Sequence, residues 1–88
     1  MTEIHEGGCL CGGVRFRVEG QPARAGVCHC RYCQLRTGSA FGLGVYFETE
    51  KITRLSGQTQ SYQFTTESGN NWKIERCATC GTSMYWTI

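Results

Sequence analysis

Seven cysteines in three short groups are the residues of this sequence whose types and spacing could do chemistry. The spacings are Cys-x-Cys, Cys-x-Cys-x2-Cys and Cys-x2-Cys, formed by Cys9 and Cys11, by Cys28, Cys30 and Cys33, and by Cys77 and Cys80. An odd number of cysteines would leave one thiol unpaired in a disulfide framework, whereas closely spaced thiolates are typical zinc ligands. The spacing therefore predicts metal binding.

The sizes of the groups predict two different metal sites. Two pairs supply four thiolates, which close a structural zinc site, whereas three thiolates leave a fourth position for water or substrate, as in catalytic zinc sites. The sequence does not show which pairs meet, but a zinc between the first and last groups would close a loop of most of the chain and contribute to folding. We therefore expect two zinc ions per chain, a structural one bound by Cys9, Cys11, Cys77 and Cys80, and an open one bound by Cys28, Cys30 and Cys33.

The second site could also be structural, if another protein group supplied a fourth ligand. His29 is the obvious candidate by residue type, because it lies within the CHCRYC segment. In an extended Cys-x-Cys segment, however, its side chain would point away from the two sulfurs. We therefore expect His29 to form hydrogen bonds rather than to bind the metal.

Charge and hydropathy exclude two classes of partner. The chain of 88 residues has nine Lys or Arg against seven Asp or Glu, without a basic run. Seven zinc-bound thiolates would make its net charge slightly negative, which argues against nucleic-acid binding. No apolar run approaches the ~20 residues of a membrane span, and the N-terminus lacks a signal peptide, so we expect a cytoplasmic protein with reduced thiols.

The hydropathy pattern predicts one mainly β domain. Apolar residues alternate with polar or small ones over several short segments, and the expected strands cover residues 14–18, 41–47, 52–55, 62–64, 72–74 and 84–88. The apolar side chains of 41–47 are expected in the core, with Gly42 and Gly44 on the other face, where another group could approach closely. Only residues 30–37 look helical, and Gly38 stands where a C-terminal cap would lie.

The segments around the cysteines resemble a known family. GGCLCGGVRF, CHCRYCQLRTGSAF and CATCGTSMYW are similar to the three cysteine motifs of the glutathione-dependent formaldehyde-activating enzyme (GFA) and centromere protein V family. The resemblance implies a small zinc-bound β-tent of short antiparallel strands over residues 1–88, with one short helix after CHCRYC. It assigns the two cysteine pairs to the structural zinc and the CHCRYC cysteines to the second, catalytic-type site. Family domains normally continue further, so we expect a domain shortened at the C-terminus, which would favour a homodimer or strand exchange.

The resemblance also implies a carbon-sulfur lyase-type enzyme that acts on glutathione, or a related thiol, and a small aldehyde. The product would resemble S-hydroxymethylglutathione. Zinc with three thiolates favours thiolate exchange over water activation, and CHCRYC contains no carboxylate that could serve as a general base. Arg31 and Arg36 could bind the carboxylates of such a thiol. The alternative is a non-catalytic, zinc-stabilised binding module in which both sites are structural.

Overall fold

Short strands form most of the regular structure in the computed structural model, which describes residues 3–88. This part of the chain contains eight strands, one α-helix and one short 3-10 helix. In chain order they are β1 (Ile4–Gly8), β2 (Arg15–Glu19), β3 (Arg24–Cys28), α1 (Arg31–Thr37), β4 (Gly42–Tyr46), the 3-10 helix (Thr49–Lys51), β5 (Ile52–Ser56), β6 (Thr59–Thr65), β7 (Asn71–Cys77) and β8 (Ser83–Thr87). The predicted class, mainly β with one short helix after CHCRYC, is confirmed.

Backbone pairing arranges the strands of residues 3–88 in three small sheets. Their strand orders are β1-β2-β5, β3-β4 and β6-β7-β8. β3 pairs antiparallel with β4, and β7 pairs antiparallel with both β6 and β8. An irregularity between Glu75 and Arg76 shifts the register of β7 against β8. No helix in residues 3–88 is long and apolar enough to cross a membrane.

Two strands were not predicted from the sequence. β1 has the sequence IHEGG and β3 has the sequence RAGVC, and neither alternates apolar with polar residues. Hydrogen bonds to neighbouring strands can hold such glycine-containing segments extended without an apolar pattern. His5, close to the N-terminus, lies in β1.

Helix α1 begins one residue later than the predicted 30–37 and ends at the predicted cap, Gly38. Cys30 is the N-cap, and its sulfur accepts a hydrogen bond from the backbone N–H of Cys33 at 3.4 Å. Gly38 adopts the left-handed conformation (φ 70°), and its N–H donates to the carbonyl of Gln34. A residue with a side chain pays a steric cost at positive φ, so glycine favours this helix end. The helix therefore holds Cys30 and Cys33 one turn apart.

The described chain separates into two compact units, and each contains one cysteine cluster. The first unit comprises residues 3–5 and 18–53, and the second comprises residues 6–17 and 54–88. In the second unit the core consists of Cys9, Val14 and Cys77, with Cys80 and Met84 packed against them. Only Val14 among residues 3–88 is a fully buried large side chain. The candidate metal ligands are thus a large part of this core.

The prediction that the apolar side chains of residues 41–47 form the core was wrong. Phe41, Leu43 and Val45 are 46%, 62% and 49% exposed, whereas Gly42 and Gly44 on the other face are buried. A Cβ atom at Gly42 would lie against the guanidinium of Arg36, and one at Gly44 would lie 2.8 Å from the ring of Tyr46. The glycines thus allow two large side chains to lie directly on the backbone of β4, as the bare glycine face suggested.

We expect Gly57→Ala to destabilise the second unit much more than Gly69→Ala. Both glycines have positive φ, 89° and 92°, so alanine strains the backbone at either position by about 1–3 kcal/mol. At Gly57 the new methyl group would also overlap the carbonyl oxygen of Gly13 and the Cα of Val14, whereas nothing lies within 4 Å at Gly69. Backbone atoms cannot easily move away, and overpacking of this kind costs about 1–3 kcal/mol more.

Urea unfolding of the two variants measures this difference in the free energy of unfolding. Gly69→Ala is the matched control, since it carries the same backbone strain without the overlap. Equal losses of stability in the two variants would contradict the close approach of Gly57 to residues 13 and 14.

Candidate metal centres

The first candidate centre brings together the two cysteine pairs. The sulfur atoms of all four residues lie within 4.8 Å of one another, and the residues are Cys9, Cys11, Cys77 and Cys80. The first pair lies in the loop between β1 and β2, and the second lies at the end of β7 and in the turn before β8. Cys9 and Cys77 are buried, and Cys11 is exposed. The predicted meeting of the first and last cysteine groups is confirmed.

Backbone N–H groups point at the sulfurs of this cluster. Val14 donates to the sulfur of Cys9 at 3.2 Å, and Gly13 donates to that of Cys11 at 3.4 Å. The N–H groups of Thr79 and Cys80 both donate to Cys77 at 3.4 Å. Such hydrogen bonds stabilise ionised sulfur. The loops are therefore suited to hold thiolates, which is the form in which cysteine binds a metal.

The distances between the sulfurs fit a tetrahedral ion. Four sulfurs about 2.3 Å from a central zinc would lie about 3.8 Å from one another. The sulfurs of Cys9 and Cys11 are 3.4 Å apart, and those of Cys11 and Cys77 are 3.8 Å apart. The cluster could hold a metal ion with only small movements of its side chains.

Thr82 belongs to this centre, although it was not singled out in the sequence. Its hydroxyl oxygen accepts a hydrogen bond from the N–H of Leu10 at 3.2 Å and lies 3.2 Å from the sulfur of Cys80. Its carbonyl accepts from the N–H of Cys77 at 2.9 Å. Thr82 therefore connects the two cysteine loops. Its position directly after Cys80 and Gly81 is the sequence feature that could have indicated a role beside the last cysteine pair.

Hydrogen bonding shifts the thiol pKa values of this cluster in opposite directions. The hydroxyl of Thr82, and then its backbone N–H, lower the pKa of Cys80 to about 5. The strongest effect on Cys11 is the N–H of Gly13, which lowers its pKa, but the three other thiols outweigh it and raise the pKa to about 11. The lowered pKa favours the thiolate of Cys80, whereas the raised pKa favours the protonated thiol of Cys11. A bound cation would replace the remaining protons and stabilise all four thiolates.

The second candidate centre is formed by the three cysteines of CHCRYC. Their sulfurs also lie within 4.8 Å of one another, with those of Cys30 and Cys33 at 3.4 Å. Cys28 ends β3, Cys30 caps α1 and Cys33 lies in its first turn. Cys28 and Cys30 are exposed, whereas Cys33 is buried. No His, Asp or Glu of residues 3–88 joins this group, so it could hold a metal ion with one position open.

The thiols of the second centre also differ in pKa. The backbone N–H of Cys33, and then its thiol, lower the pKa of Cys30. Burial raises the pKa of Cys33 to about 11, and its neighbouring thiols act in the same direction. An exposed cysteine with a lowered pKa therefore lies beside a buried cysteine with a raised pKa.

His29 and the two arginines occupy distinct positions around this centre. The ring of His29 packs against that of Phe41, with centroids 5.6 Å apart, and His29 is not part of the sulfur cluster. Arg31 is exposed at the start of α1, next to Cys30. Arg36 lies in the last turn, where its guanidinium and the Cβ of Cys33 both approach Gly42. Of the two predicted substrate-binding arginines, the structure thus places Arg36 beside a cysteine of the cluster.

Comparison with known proteins agrees with these observations. The sequence pattern of the family described as glutathione-dependent formaldehyde-activating enzyme matches residues 4–88, which include all seven cysteines. No curated protein is similar enough to the chain to count as a match. Because the family pattern covers nearly the whole chain, the chain belongs to the glutathione-dependent formaldehyde-activating enzyme (GFA) family.

Proposed function

We propose that this protein is a zinc-dependent carbon-sulfur lyase-type enzyme that acts on glutathione, or a related thiol, and a small aldehyde. The observation that carries the proposal is the cluster of Cys28, Cys30 and Cys33, which has two exposed sulfurs and no fourth ligand among residues 3–88. Family membership supports the thiol and the aldehyde as substrates. In this proposal Cys9, Cys11, Cys77 and Cys80 bind a structural zinc.

The donor sets favour zinc as the metal in both centres. Both consist only of cysteine sulfurs, and soft thiolates select zinc over hard cations such as Mg²⁺ or Ca²⁺. Zinc with an open position would keep a substrate thiol ionised at neutral pH. The reaction then joins the thiol sulfur to the carbonyl carbon of the aldehyde, while the carbonyl oxygen takes up a proton in place of the one lost from sulfur. The reverse reaction breaks the same carbon-sulfur bond.

Arg36 and Arg31 are proposed to bind the carboxylates of the substrate thiol. Arg36 is better placed for this role, because its side chain lies on Gly42 next to Cys33. Two parallel hydrogen bonds from a guanidinium match the geometry of a carboxylate. Binding of this kind would orient the substrate sulfur relative to the three cysteines.

Native mass spectrometry of protein purified without added metal tests the proposal. We expect two zinc ions per chain and, after glutathione is added, a further mass of one glutathione. That mass should disappear when Cys28, Cys30 and Cys33 are all replaced. Two zinc ions in a protein that does not bind glutathione would instead favour the binding module in which both zinc sites are structural.

We place this reaction in the cytoplasm. All seven cysteines are free thiols in the structure, and two centres made only of cysteines need reduced thiols to bind a metal. Cytoplasmic thiols are kept reduced, whereas those of secreted proteins are commonly oxidised.

The apolar face of the β3-β4 sheet supports a homodimer. Val27 lies opposite Leu43, and Ala25 lies opposite Val45, so these side chains share one face with Phe41. The four larger ones are 46–62% exposed, and a contiguous exposed apolar face of this kind commonly marks a protein–protein interface. A second copy with the same apolar face would cover this surface by two-fold symmetric packing.

We therefore expect a dimer at micromolar concentration and a monomer after Leu43→Glu. A buried charge at the centre of the apolar face would cost several kcal/mol of association free energy. Size-exclusion chromatography with light scattering measures the mass of each form. Leu10→Glu is the matched control, because Leu10 is 89% exposed and lies in a cysteine loop. A monomeric parent protein, or dissociation by the control substitution, would contradict this interface.

A further inference from the structure

A cavity unrelated to the cysteine clusters lies on the polar face of the β6-β7-β8 sheet. Its volume is about 450 Å³, within the range of small-molecule sites, and it is lined by Arg54, Thr59, Ser61, Lys73, Glu75, Tyr85 and Thr87. The strand register explains the composition of this lining. Ser61 and Tyr85 lie on either side of Glu75, and Thr87 lies opposite Lys73. All of these residues belong to the second unit.

The carboxylate of Glu75 is already satisfied by protein groups. Thr59 donates its hydroxyl to Oε1 at 2.7 Å, and the hydroxyl of Ser61 lies 2.9 Å and 2.8 Å from the two oxygens. The ammonium of Lys73 lies 3.6 Å from Oε2, and the Glu75 side chain is only 12% exposed. Glu75 therefore organises this face and has little capacity left for a positively charged ligand.

Arg54 has unused hydrogen-bonding capacity at the same cavity. Its Nη1 donates to the hydroxyl oxygen of Thr59 at 2.6 Å, which connects the guanidinium to the Thr59–Glu75 pair. Arg54 forms no ion pair with a carboxylate within residues 3–88. A guanidinium carries five N–H donors, so most of the donors of this exposed side chain are available to a ligand.

We propose that this cavity binds a carboxylate ligand through Arg54 and Lys73. The two cations exceed the one carboxylate of the lining, so the cavity favours an anion. A planar carboxylate can accept two parallel hydrogen bonds from the guanidinium, while Lys73 supplies a second positive charge. Tyr85 and Thr87 also line the cavity, and their hydroxyls can bind polar groups next to the carboxylate. The ligand is either a carboxylic acid without a thiol or the carboxylate end of a thiol such as glutathione, and the second case rests on the proposed function.

Isothermal titration calorimetry of the full, metal-loaded chain with succinate and, separately, with glutathione tests the proposal. We expect Arg54→Gln to weaken binding of at least one of them by about tenfold or more, since a charge-assisted pair is lost. Arg54→Lys keeps the charge without the planar donor group and should restore binding only in part. Arg24→Gln is the matched control, because it removes the same charge from an arginine that lies over the Tyr46 ring instead.

The two titrations distinguish the sources of the carboxylate. Binding of succinate that depends on Arg54 supports a site for thiol-free carboxylic acids, whereas binding of glutathione alone, with the same dependence, supports the carboxylate of a thiol. Circular dichroism confirms that each variant remains folded. Absence of binding for both ligands at millimolar concentration, or binding that Arg54→Gln and Arg24→Gln weaken equally, would overturn the proposal.

Discussion

Replacing Cys77 by serine is expected to unfold the second unit and to release one metal ion per chain. Cys77 is 3% exposed and packs with Cys9 and Val14 in a core that has few other members. An apolar core of this size contributes little to the free energy of folding. A bound ion must therefore supply much of the stability. Structural zinc supplies about 10–16 kcal/mol in comparable small domains, and loss of one of four thiolates removes much of it.

Thermal unfolding followed by circular dichroism, together with native mass spectrometry, measures both effects. We expect the Cys77→Ser variant to lack a cooperative transition at neutral pH. Cys28→Ser is the matched control, because it removes an exposed thiol from the other cluster and should leave the transition in place. A Cys77→Ser variant that unfolds within a few degrees of the parent protein would contradict a structural metal at this cluster.

Replacing Cys30 by serine is expected to abolish turnover while the fold remains intact. The side chain of Cys30 is exposed, and its sulfur lies 3.4 Å from that of Cys33, so the substitution removes one of the three proposed ligands. Serine is also among the best N-cap residues, and its hydroxyl can accept the N–H of Cys33 as the sulfur does. Helix α1 should therefore be retained.

The rate of S-hydroxymethylglutathione formation, followed by NMR with glutathione and formaldehyde, measures the loss of activity. We expect at least a hundredfold decrease, towards the uncatalysed rate, with a melting temperature within a few degrees of that of the parent. Unfolding of Cys30→Ser would favour the binding module, because the three-cysteine centre would then be structural. Full activity would exclude this centre from the reaction. For Cys77→Ser we expect the loss of stability to be the primary effect, so that any loss of activity follows from unfolding.

The cysteine sets of both candidate metal centres could be predicted from the sequence because cysteine spacing is local. Cys-x-Cys and Cys-x2-Cys segments bring their sulfurs close together whatever the rest of the fold does. The same holds for α1, since the cap residues Cys30 and Gly38 act within one turn of the helix ends. The pairing of the first and last cysteine groups rested on counting four ligands, and the structure brings those four sulfurs together.

Only the tertiary structure decided the features that depend on cross-strand neighbours. β1 and β3 carry no periodic apolar signal, and backbone pairing with other strands makes them extended. The alternation in residues 41–47 correctly predicted a strand, but its apolar face is not in the core. An alternating pattern defines the two faces of a strand and does not determine which face is buried. Thr82 between the cysteine loops and Arg54 in the cavity that Glu75 also lines bring together residues far apart in the sequence. Such contacts have no local pattern, so the sequence by itself determined the two cysteine sets, and the fold determined what surrounds them.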